Sequence, residues 1–193
     1  MSKIIEFWGC AGNLGCGRGF LDVARPGAFQ DADMLIAGNT PCSEALACPP
    51  PSPPPSPPRG AAGGDPAPTN NCQHCRSLTP AQQETQLAIW SVIASPLMLS
   101  LDVPEVAAAD RALLLNPEVI AVSQDVAGRQ GRRLRASASS GAQLWARELH
   151  GGDVAVALHN AGGAEPQDVR VEWTELGLPS AARPVRDVLQ RRD

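Results

Sequence analysis

The sequence contains no tyrosine, few aromatic residues (4%) and no long hydrophobic run. Its apolar stretches all fall short of the roughly 18 residues that a membrane-spanning helix needs, so we expect no membrane partner. Basic residues are not in excess either, since the net charge is −4. Proteins that bind nucleic acids usually present a basic face, and the short arginine-rich stretch at residues 129–135 does not provide one. Nucleic acid is therefore not an expected partner.

The N-terminal residues 1–8 also lack the features of a signal peptide. Their apolar part is too short, and Glu6 interrupts it. The apolar positions instead share one face of an amphipathic helix. Only Ser2 precedes them as a helix-start signal, and we therefore expect further sequence upstream of Met1.

Cysteine is confined to the first 75 of the 193 residues, in surroundings rich in Gly, Pro and Asn. The six positions are Cys10, Cys16, Cys42, Cys48, Cys72 and Cys75. An even count in loops predicts disulfides and an oxidising compartment. Free thiols are the first alternative. The second is a zinc site through Cys72 and Cys75 with another pair, although the other pairs are spaced too widely for the usual zinc knuckle.

A proline-rich tract interrupts the chain after these first cysteines. Residues 49–58 read PPPSPPPSPP, and residues 59–71 are rich in Gly, Ala and Pro. Such a tract cannot form a core and favours extended polyproline II structure. We interpret residues 40–73 as one long surface insertion, because compact domains rarely carry structureless loops beyond about 15 residues. The Ser-Pro repeats resemble glycosylated cell-wall proteins of plants and green algae, and a linker without function is the alternative.

The most informative stretch is residues 26–39, which combines turns, carboxylates and an apolar run. A Pro-Gly turn precedes Asp31 and Asp33, an apolar run occupies residues 34–37, and Gly-Asn closes it. Carboxylates beside a core strand are costly unless something binds them. This stretch is therefore the first candidate for a sugar site, a metal site or a buried hydrogen-bond network.

A capped helix and a buried strand are predicted for residues 78–101. Thr79 supplies a hydroxyl cap, followed by proline in the first turn and Gln82 three residues after the cap. Leu87, Trp90 and their helical neighbours mark a core face that ends at residues 95–96. The uninterrupted apolar run at residues 96–101 is typical of a parallel strand buried on both faces.

Two further helices are expected before residue 125. Asp102, with Glu105 three residues later, is predicted to cap a helix that ends at residues 116–117. A pocket role for Asp102 is the alternative. A short helix then covers residues 119–122.

From residue 128 onwards the hydrophobic period becomes alternating, which is typical of antiparallel strands. The strand candidates are residues 143–149, 154–159, 169–173 and 184–189, with a hairpin turn at residues 150–153. Parallel α/β structure at residues 1–125 is thus followed by an antiparallel β domain at residues 126–193. A (β/α)8 barrel needs about 250 residues, so the first part represents roughly a quarter of one.

Several side chains receive a structural interpretation. Trp90 and Trp145 are expected in the core. His150 and His159 have no partner cluster and are interpreted as surface or satisfied histidines. The four arginines of one short stretch are expected to form a solvated interdomain face; they are Arg129, Arg132, Arg133 and Arg135.

Collinear blocks of the sequence resemble the C-terminal half of α-galactosidases and α-N-acetylgalactosaminidases. The blocks are residues 26–39, 78–102, 116–125, 128–131, 143–160 and 173–179. The resemblance implies the last strands and helices of a (β/α)8 barrel followed by a partial antiparallel β-sandwich. It also implies hydrolysis of terminal α-galactosides with retention, and a secreted, cell-wall, lysosomal or vacuolar location. No cofactor is expected, and no metal-ligating residue is assigned, with zinc at the cysteines left open.

By the same resemblance, residues 29–36 hold the seventh barrel strand and residues 97–101 the eighth. Asp33 and Met34 match positions that line the sugar pocket, and Asp33 would accept hydrogen bonds from sugar hydroxyls. The family pattern here is Pro-Gly-Gly-Trp-Asn-Asp-Pro-Asp-Met-Leu. This chain departs from it, with Phe29, Gln30 and Ala32 in place of Trp, Asn and Pro.

The catalytic residues of the family are expected to lie outside this chain. Retention needs two carboxyl groups about 5–5.5 Å apart, and in the family they lie on the fourth strand and after the sixth. Asp31 and Asp33 are not that pair, because Asp31 matches a structural position. We therefore expect a fragment that is inactive alone, with a non-catalytic carbohydrate-binding or wall-associated remnant as the alternative. The choice between galactose and N-acetylgalactosamine stays open.

Overall fold

The computed structural model describes residues 25–29, 31–32, 34–38, 78–162, 165–181 and 183–193. Asp33, Gln30, the cysteines and the proline-rich tract lie outside the described residues, so the hypotheses about them stay predictions. No helix in these described ranges is both long and apolar enough to cross a membrane.

The described chain forms three α-helices followed by a small antiparallel sheet. The helices are α1 (Pro80–Val92), α2 (Ala108–Leu114) and α3 (Pro117–Ser123). The strands are β1 (Arg132–Ala136), β2 (Ala142–Glu148) and β3 (Val154–Asn160), in the sheet order β1-β2-β3. Three short 3-10 turns cover Val103–Glu105, His150–Gly152 and Trp173–Leu176.

Helix α1 begins as the sequence predicts. The Thr79 hydroxyl accepts a hydrogen bond from the Gln82 backbone N–H at 3.3 Å, and the Gln82 side chain accepts one from the Thr79 N–H at 2.9 Å. Each side chain thus satisfies an N–H that the first helical turn leaves unpaired. The helix ends at Val92, slightly before the predicted residues 95–96, and Ala94 follows with a φ of +56°.

The helix predicted from Asp102 to residue 116 is wrong in its first half. Asp102 precedes the 3-10 turn Val103–Glu105 but makes no capping hydrogen bond, so the predicted cap is also wrong. Val106 and Ala107 are extended, with ψ values of 126° and 148°, and they separate the turn from α2. Extended backbone at two consecutive residues breaks the i to i−4 hydrogen bonds that a continuous helix requires.

The short helix α3 confirms the prediction for the Asn-Pro-Glu stretch. Asn116 is buried, and its Oδ1 accepts hydrogen bonds from the N–H groups of Glu118 at 3.0 Å and Val119 at 3.4 Å. Its Nδ2 donates to the carbonyl of Val188 at 2.9 Å. One side chain therefore caps the helix and holds the C-terminal segment against it.

The β2–β3 hairpin confirms two predicted strands and their turn. Its register pairs Leu144 with Leu158 and Trp145 with Ala157. Strand β1 was missed, because its sequence is charged and a bulge between Arg133 and Arg135 breaks the alternation. A charged edge strand of this kind is common, since it discourages unwanted pairing.

The predicted strands at 169–173 and 184–189 are wrong. In the described residues the first stretch is irregular and leads into a 3-10 turn, while the second contributes only an isolated bridge between Asp187 and Arg192. Apolar residues of the first stretch still pack on the outer face of the sheet beside Leu144. Their apolar pattern reflects this packing rather than backbone pairing.

One hydrophobic core joins the helices to the sheet. Leu87 and Trp90 of α1 are buried together with Trp145 of β2 and Ala157 of β3. This confirms the expected core role of both tryptophans. The core is continuous across residue 125, so α1 packs directly on one face of the sheet.

Candidate functional site

The segment at residues 31–38 lies beside residues 97–101 in parallel orientation. The Leu35 N–H donates to the Met98 carbonyl at 2.6 Å, and the Ser100 N–H donates to the Leu35 carbonyl at 2.8 Å. These bonds form a parallel bridge between Leu35 and Leu99. The two stretches expected to be neighbouring barrel strands are therefore neighbours, although the bridge extends over a single position.

The apolar side chains around this bridge are only partly covered. Leu35 is fully buried, but Met34 is 40% exposed and Met98 is 56% exposed. The prediction that residues 96–101 are buried on both faces is therefore wrong. Among the described residues this stretch has a strand neighbour on one edge only, and a strand needs neighbours and covering layers on both sides to be fully buried.

Two buried polar side chains fix the backbone of this segment. The Ser95 hydroxyl accepts a hydrogen bond from the Ala32 N–H at 2.8 Å. The Gln86 Oε1 accepts from the N–H groups of Ile36 at 3.0 Å and Ala37 at 3.1 Å. The segment is thus anchored on both sides of position 33.

Gln86 and Ser95 were missed as functional candidates, although the sequence contained a signal. Each is 1% exposed. Gln86 lies four residues before Trp90, which places a polar amide on the apolar face of α1. A polar side chain on a buried face requires a hydrogen-bond partner, and here the partner is the backbone of another segment.

Turns bound the segment at both ends, as predicted. Arg25 and Ala28 exchange backbone hydrogen bonds of 3.0 and 2.8 Å around the Pro-Gly turn. At the other end Gly38 has a φ of +80°, and an added Cβ would lie 3.3 Å from the side chains of Asp110 and Leu114. Glycine is therefore required there by both its backbone conformation and the close approach of α2.

The predicted sugar residues are placed only in part. Met34 lies on the exposed side of the anchored segment, whereas Asp33 is outside the described residues. Asp31 is exposed. Within the described ranges, no group of three His, Cys, Asp or Glu side chains is arranged to hold a metal ion.

A second buried polar group, Arg147 of β2, connects the sheet to two helices. It is 1% exposed, and its Nη1 donates to the carbonyl of Ser91 in α1 at 2.8 Å. The same atom donates to the carbonyls of Val122 at 2.6 Å and Ser123 at 3.2 Å in α3. Helix C-termini carry partial negative charge, which a cation stabilises.

Burial dominates the electrostatics of Arg147. Desolvation lowers the pKa of its guanidinium, and the charge of Asp125 opposes that shift. The predicted interdomain arginines differ from it, since Arg129 is 60% exposed and pairs with Glu148. Arg132 and Arg135 are exposed as well, as expected, but Arg133 is half-buried with its guanidinium carbon 5.7 Å from the Trp145 ring centroid. Sequence reasoning also missed the buried Arg147.

The two histidines of the hairpin have different environments. His150 is exposed, as expected, but His159 is buried on the face of β3. The His159 Nδ1 lies 3.5 Å from the Gln143 Oε1, and its Nε2 has no hydrogen-bond partner among the described residues. The interpretation of His159 as a satisfied histidine is therefore wrong for Nε2. Burial lowers the pKa of this imidazole.

Two protein-family models match the chain. The α-galactosidase C-terminal β-sandwich domain matches residues 139–193. The α-galactosidase A model matches residues 69–125. One match thus covers the three helices and the other covers strands β2 and β3, while β1 lies between the two matched ranges.

Relatives with the same description align over most of the chain. α-Galactosidase 3 of Arabidopsis thaliana is 34% identical over 172 residues, which are 88% of this chain and 31% of the relative. Human α-galactosidase A is 30% identical over 173 residues, again 88% of this chain and 31% of the relative. The chain spans about a third of the length of these relatives.

Solved structures agree on the fold. A Bacteroides fragilis protein assigned as an α-galactosidase or melibiase matches 97% of this chain and 33% of its own, with a TM-score of 0.67 and 22% identity. α-Galactosidase I of Mortierella vinacea matches 89% of this chain and 35% of its own, with a TM-score of 0.61 and 22% identity. The expected fold class, the end of a (β/α)8 barrel followed by a partial β-sandwich, is confirmed. The family matches and the relatives together support the melibiase-type α-galactosidase family for this chain.

Proposed function

We propose that this chain is part of a retaining α-galactosidase and supplies one wall of its sugar pocket. The observation that carries the proposal is the anchored segment at residues 31–38, which exposes Met34 beside residues 97–101. Active sites of (β/α)8 barrels lie at the C-terminal ends of the strands, where such a segment would meet the substrate. The family matches and the relatives support a terminal α-D-galactoside as that substrate.

In this proposal Asp33 and Met34 bind sugar but perform no chemistry. The Asp33 carboxylate would accept hydrogen bonds from sugar hydroxyls, an interaction strengthened by its charge. Met34 would provide an apolar contact for a sugar-ring face. The nucleophile and the acid/base carboxylate that retention requires would come from sequence upstream, as the family pattern implies.

The proposal extends to organisation and location. Residues 1–125 would belong to the catalytic barrel and residues 126–193 to the C-terminal β domain. The protein would be secreted, wall-associated, lysosomal or vacuolar, where disulfides between its cysteines could form. The proline-rich tract favours a plant or green algal source. N-acetylgalactosamine is the alternative sugar.

The test uses the polypeptide encoded by the complete transcript, read upstream of Met1. Asp33→Asn should raise the KM for an aryl α-galactoside by about 10- to 100-fold, the range for losing a hydrogen bond to a charged group. Asp31→Asn is the matched control, since Asp31 is exposed and lies two residues away in the sequence, and it should change KM by less than about threefold. Equal effects of the two substitutions would contradict the assignment of Asp33.

The Ser-Pro tract supports a second candidate, a non-catalytic wall-associated remnant. A stop codon in frame just before Met1 would favour it over the enzyme. The purified chain would then be expected to bind cell-wall material without releasing galactose, and deletion of residues 49–58 should remove that binding.

A further inference from the structure

We propose that Gln86 is a positioning residue for the sugar-binding segment, a role that rests on the function proposed above. Gln86 lies in the middle of α1 and does not belong to the segment. Its side chain nevertheless contacts the backbone of three residues there. The Nε2 donates to the Met34 carbonyl at 3.5 Å, while Oε1 accepts from Ile36 and Ala37 at 3.0 and 3.1 Å.

These contacts replace the hydrogen bonds that a longer strand pairing would supply. The bridge to residues 97–101 uses only the N–H and C=O of Leu35. Ala37 is fully buried and Ile36 is half-buried, so their N–H groups need a protein acceptor. The two lone pairs of one amide oxygen provide it.

The anchoring acts on the orientation of Met34. Upstream, the Ser95 hydroxyl holds the Ala32 N–H. Downstream, the Gln86 side chain donates to the Met34 carbonyl and accepts from the N–H groups of Ile36 and Ala37. The peptide plane that follows Met34 is therefore held by Gln86 of α1, and the Asp31–Ala32 peptide upstream is held by Ser95.

Helix α1 is a suitable base for this contact because both of its ends are fastened. The capping box at Thr79 fixes its start. Arg147 binds the Ser91 carbonyl in its last turn. Gln86 is 1% exposed between these two points, and its side chain therefore has little freedom to move.

The same helix offers a matched control in Gln83. Gln83 is also buried, at 5% exposed, and its Nε2 donates to the Leu78 carbonyl at 3.2 Å. That bond stays at the start of α1 and does not reach the segment. Gln83 and Gln86 thus share residue type, helix and burial. They differ in their hydrogen-bond partners, which are the Leu78 carbonyl for Gln83 and the backbone of the segment for Gln86.

The experiment compares Gln86→Met, Gln86→Glu and Gln83→Met in the polypeptide encoded by the complete transcript. Gln86→Met removes both acceptor bonds, so the amides of Ile36 and Ala37 should exchange with deuterium about tenfold faster or more. The KM for p-nitrophenyl α-galactoside should rise about tenfold, with a smaller change in kcat. Gln86→Glu keeps an acceptor oxygen for Ile36 and Ala37 but loses the donor to the Met34 carbonyl and buries a carboxyl group, so amide protection and KM should lie between those of Gln86→Met and those of the wild type.

Gln83→Met separates positioning from general destabilisation. It should lower the urea midpoint less than Gln86→Met, because Gln83 makes one hydrogen bond and its buried Oε1 has no partner among the described residues, and it should leave KM within about twofold. If Gln86→Met accelerates amide exchange yet leaves KM unchanged, Gln86 is structural only and the inference is wrong. If the unmodified polypeptide does not act on α-galactosides, the proposed function fails first, and the inference fails with it.

Discussion

Helix α1 and residues 96–101 follow each other in the chain and are both apolar, yet they differ in burial. Trp90 of α1 is 1% exposed, while Met98 is 56% exposed. The helix makes its backbone hydrogen bonds internally and needs only one packing surface, which the sheet supplies. Residues 96–101 depend on neighbouring strands, and the described chain gives them one bridge to Leu35.

The difference shows which interactions are local. A capped helix with an apolar face makes its backbone hydrogen bonds and its caps within about 15 consecutive residues. A central parallel strand requires partners on both edges and cover on both faces. An apolar run therefore predicts burial only when the partner strands are also present.

The largest expected difference between the two regions is the free energy of unfolding that is lost when a large apolar side chain is truncated. Trp90→Ala leaves a cavity in the core shared with Trp145 and should reduce the free energy of unfolding by about 3–5 kcal/mol. Met98→Ala removes a side chain that is mostly in water and should cost less than about 1 kcal/mol. Urea denaturation followed by tryptophan fluorescence and circular dichroism measures both. Equal losses would contradict the described burial.

The next effect concerns the fastening of α1 to the sheet. Arg147→Ala removes the guanidinium donor shared by three carbonyls at the ends of α1 and α3, and should cost about 1–3 kcal/mol. Arg129→Ala is the control, because its ion pair with Glu148 is exposed and should contribute less than about 1 kcal/mol. Thermal unfolding in 0.05 and 0.5 M salt measures both variants. An Arg147 effect no larger than that of Arg129 would show that the sheet does not depend on this contact.

A smaller loss of stability is expected at the two predicted helix N-caps, Thr79 and Asp102. Thr79→Ala removes an observed capping hydrogen bond and should cost about 1 kcal/mol. Asp102→Ala removes a side chain that makes no cap bond and should be nearly neutral. Urea midpoints of the two variants, measured side by side, test the contrast. A larger loss for Asp102→Ala would restore the predicted cap.

The smallest expected effect depends on pH and involves the sheet face that meets α1. Burial lowers the pKa of His159 in the folded state. As pH falls through the ordinary pKa of 6.5, the unfolded chain binds a proton first, so stability decreases below about pH 6.5 and levels off below the folded-state pKa. His159→Gln should flatten the dependence of the urea midpoint between pH 7.5 and 5. A slope that His159→Gln leaves unchanged would contradict this origin of the pH dependence.

Much of the fold could be predicted from local signals. The Thr79 cap, the Asn116 cap and the β2–β3 hairpin each depend on residues within a few positions of one another. The failures involve distant partners. The stretch at 169–173 has the alternation of a strand but no strand to pair with among the described residues, and β1 pairs although its sequence is charged.

In the candidate site, too, the features that depend on distant partners were not predicted. Asp33 and Met34 were assigned through the family pattern, whereas Gln86 and Ser95 act across about 50 and 63 residues of sequence. Polar residues on the buried face of α1 indicate that some partner exists. They do not say which backbone it is, because that depends on how the segment and the helix meet in space.

The most direct test of the proposed function is an activity measurement on the purified 193-residue chain. In that proposal the chain supplies a sugar-binding wall but not the carboxylate pair that retention requires. Incubated with p-nitrophenyl α-D-galactopyranoside, the chain should release no more nitrophenol than the buffer blank. Release above the blank that Asp33→Asn abolishes would contradict the account, because it would place catalysis within these residues.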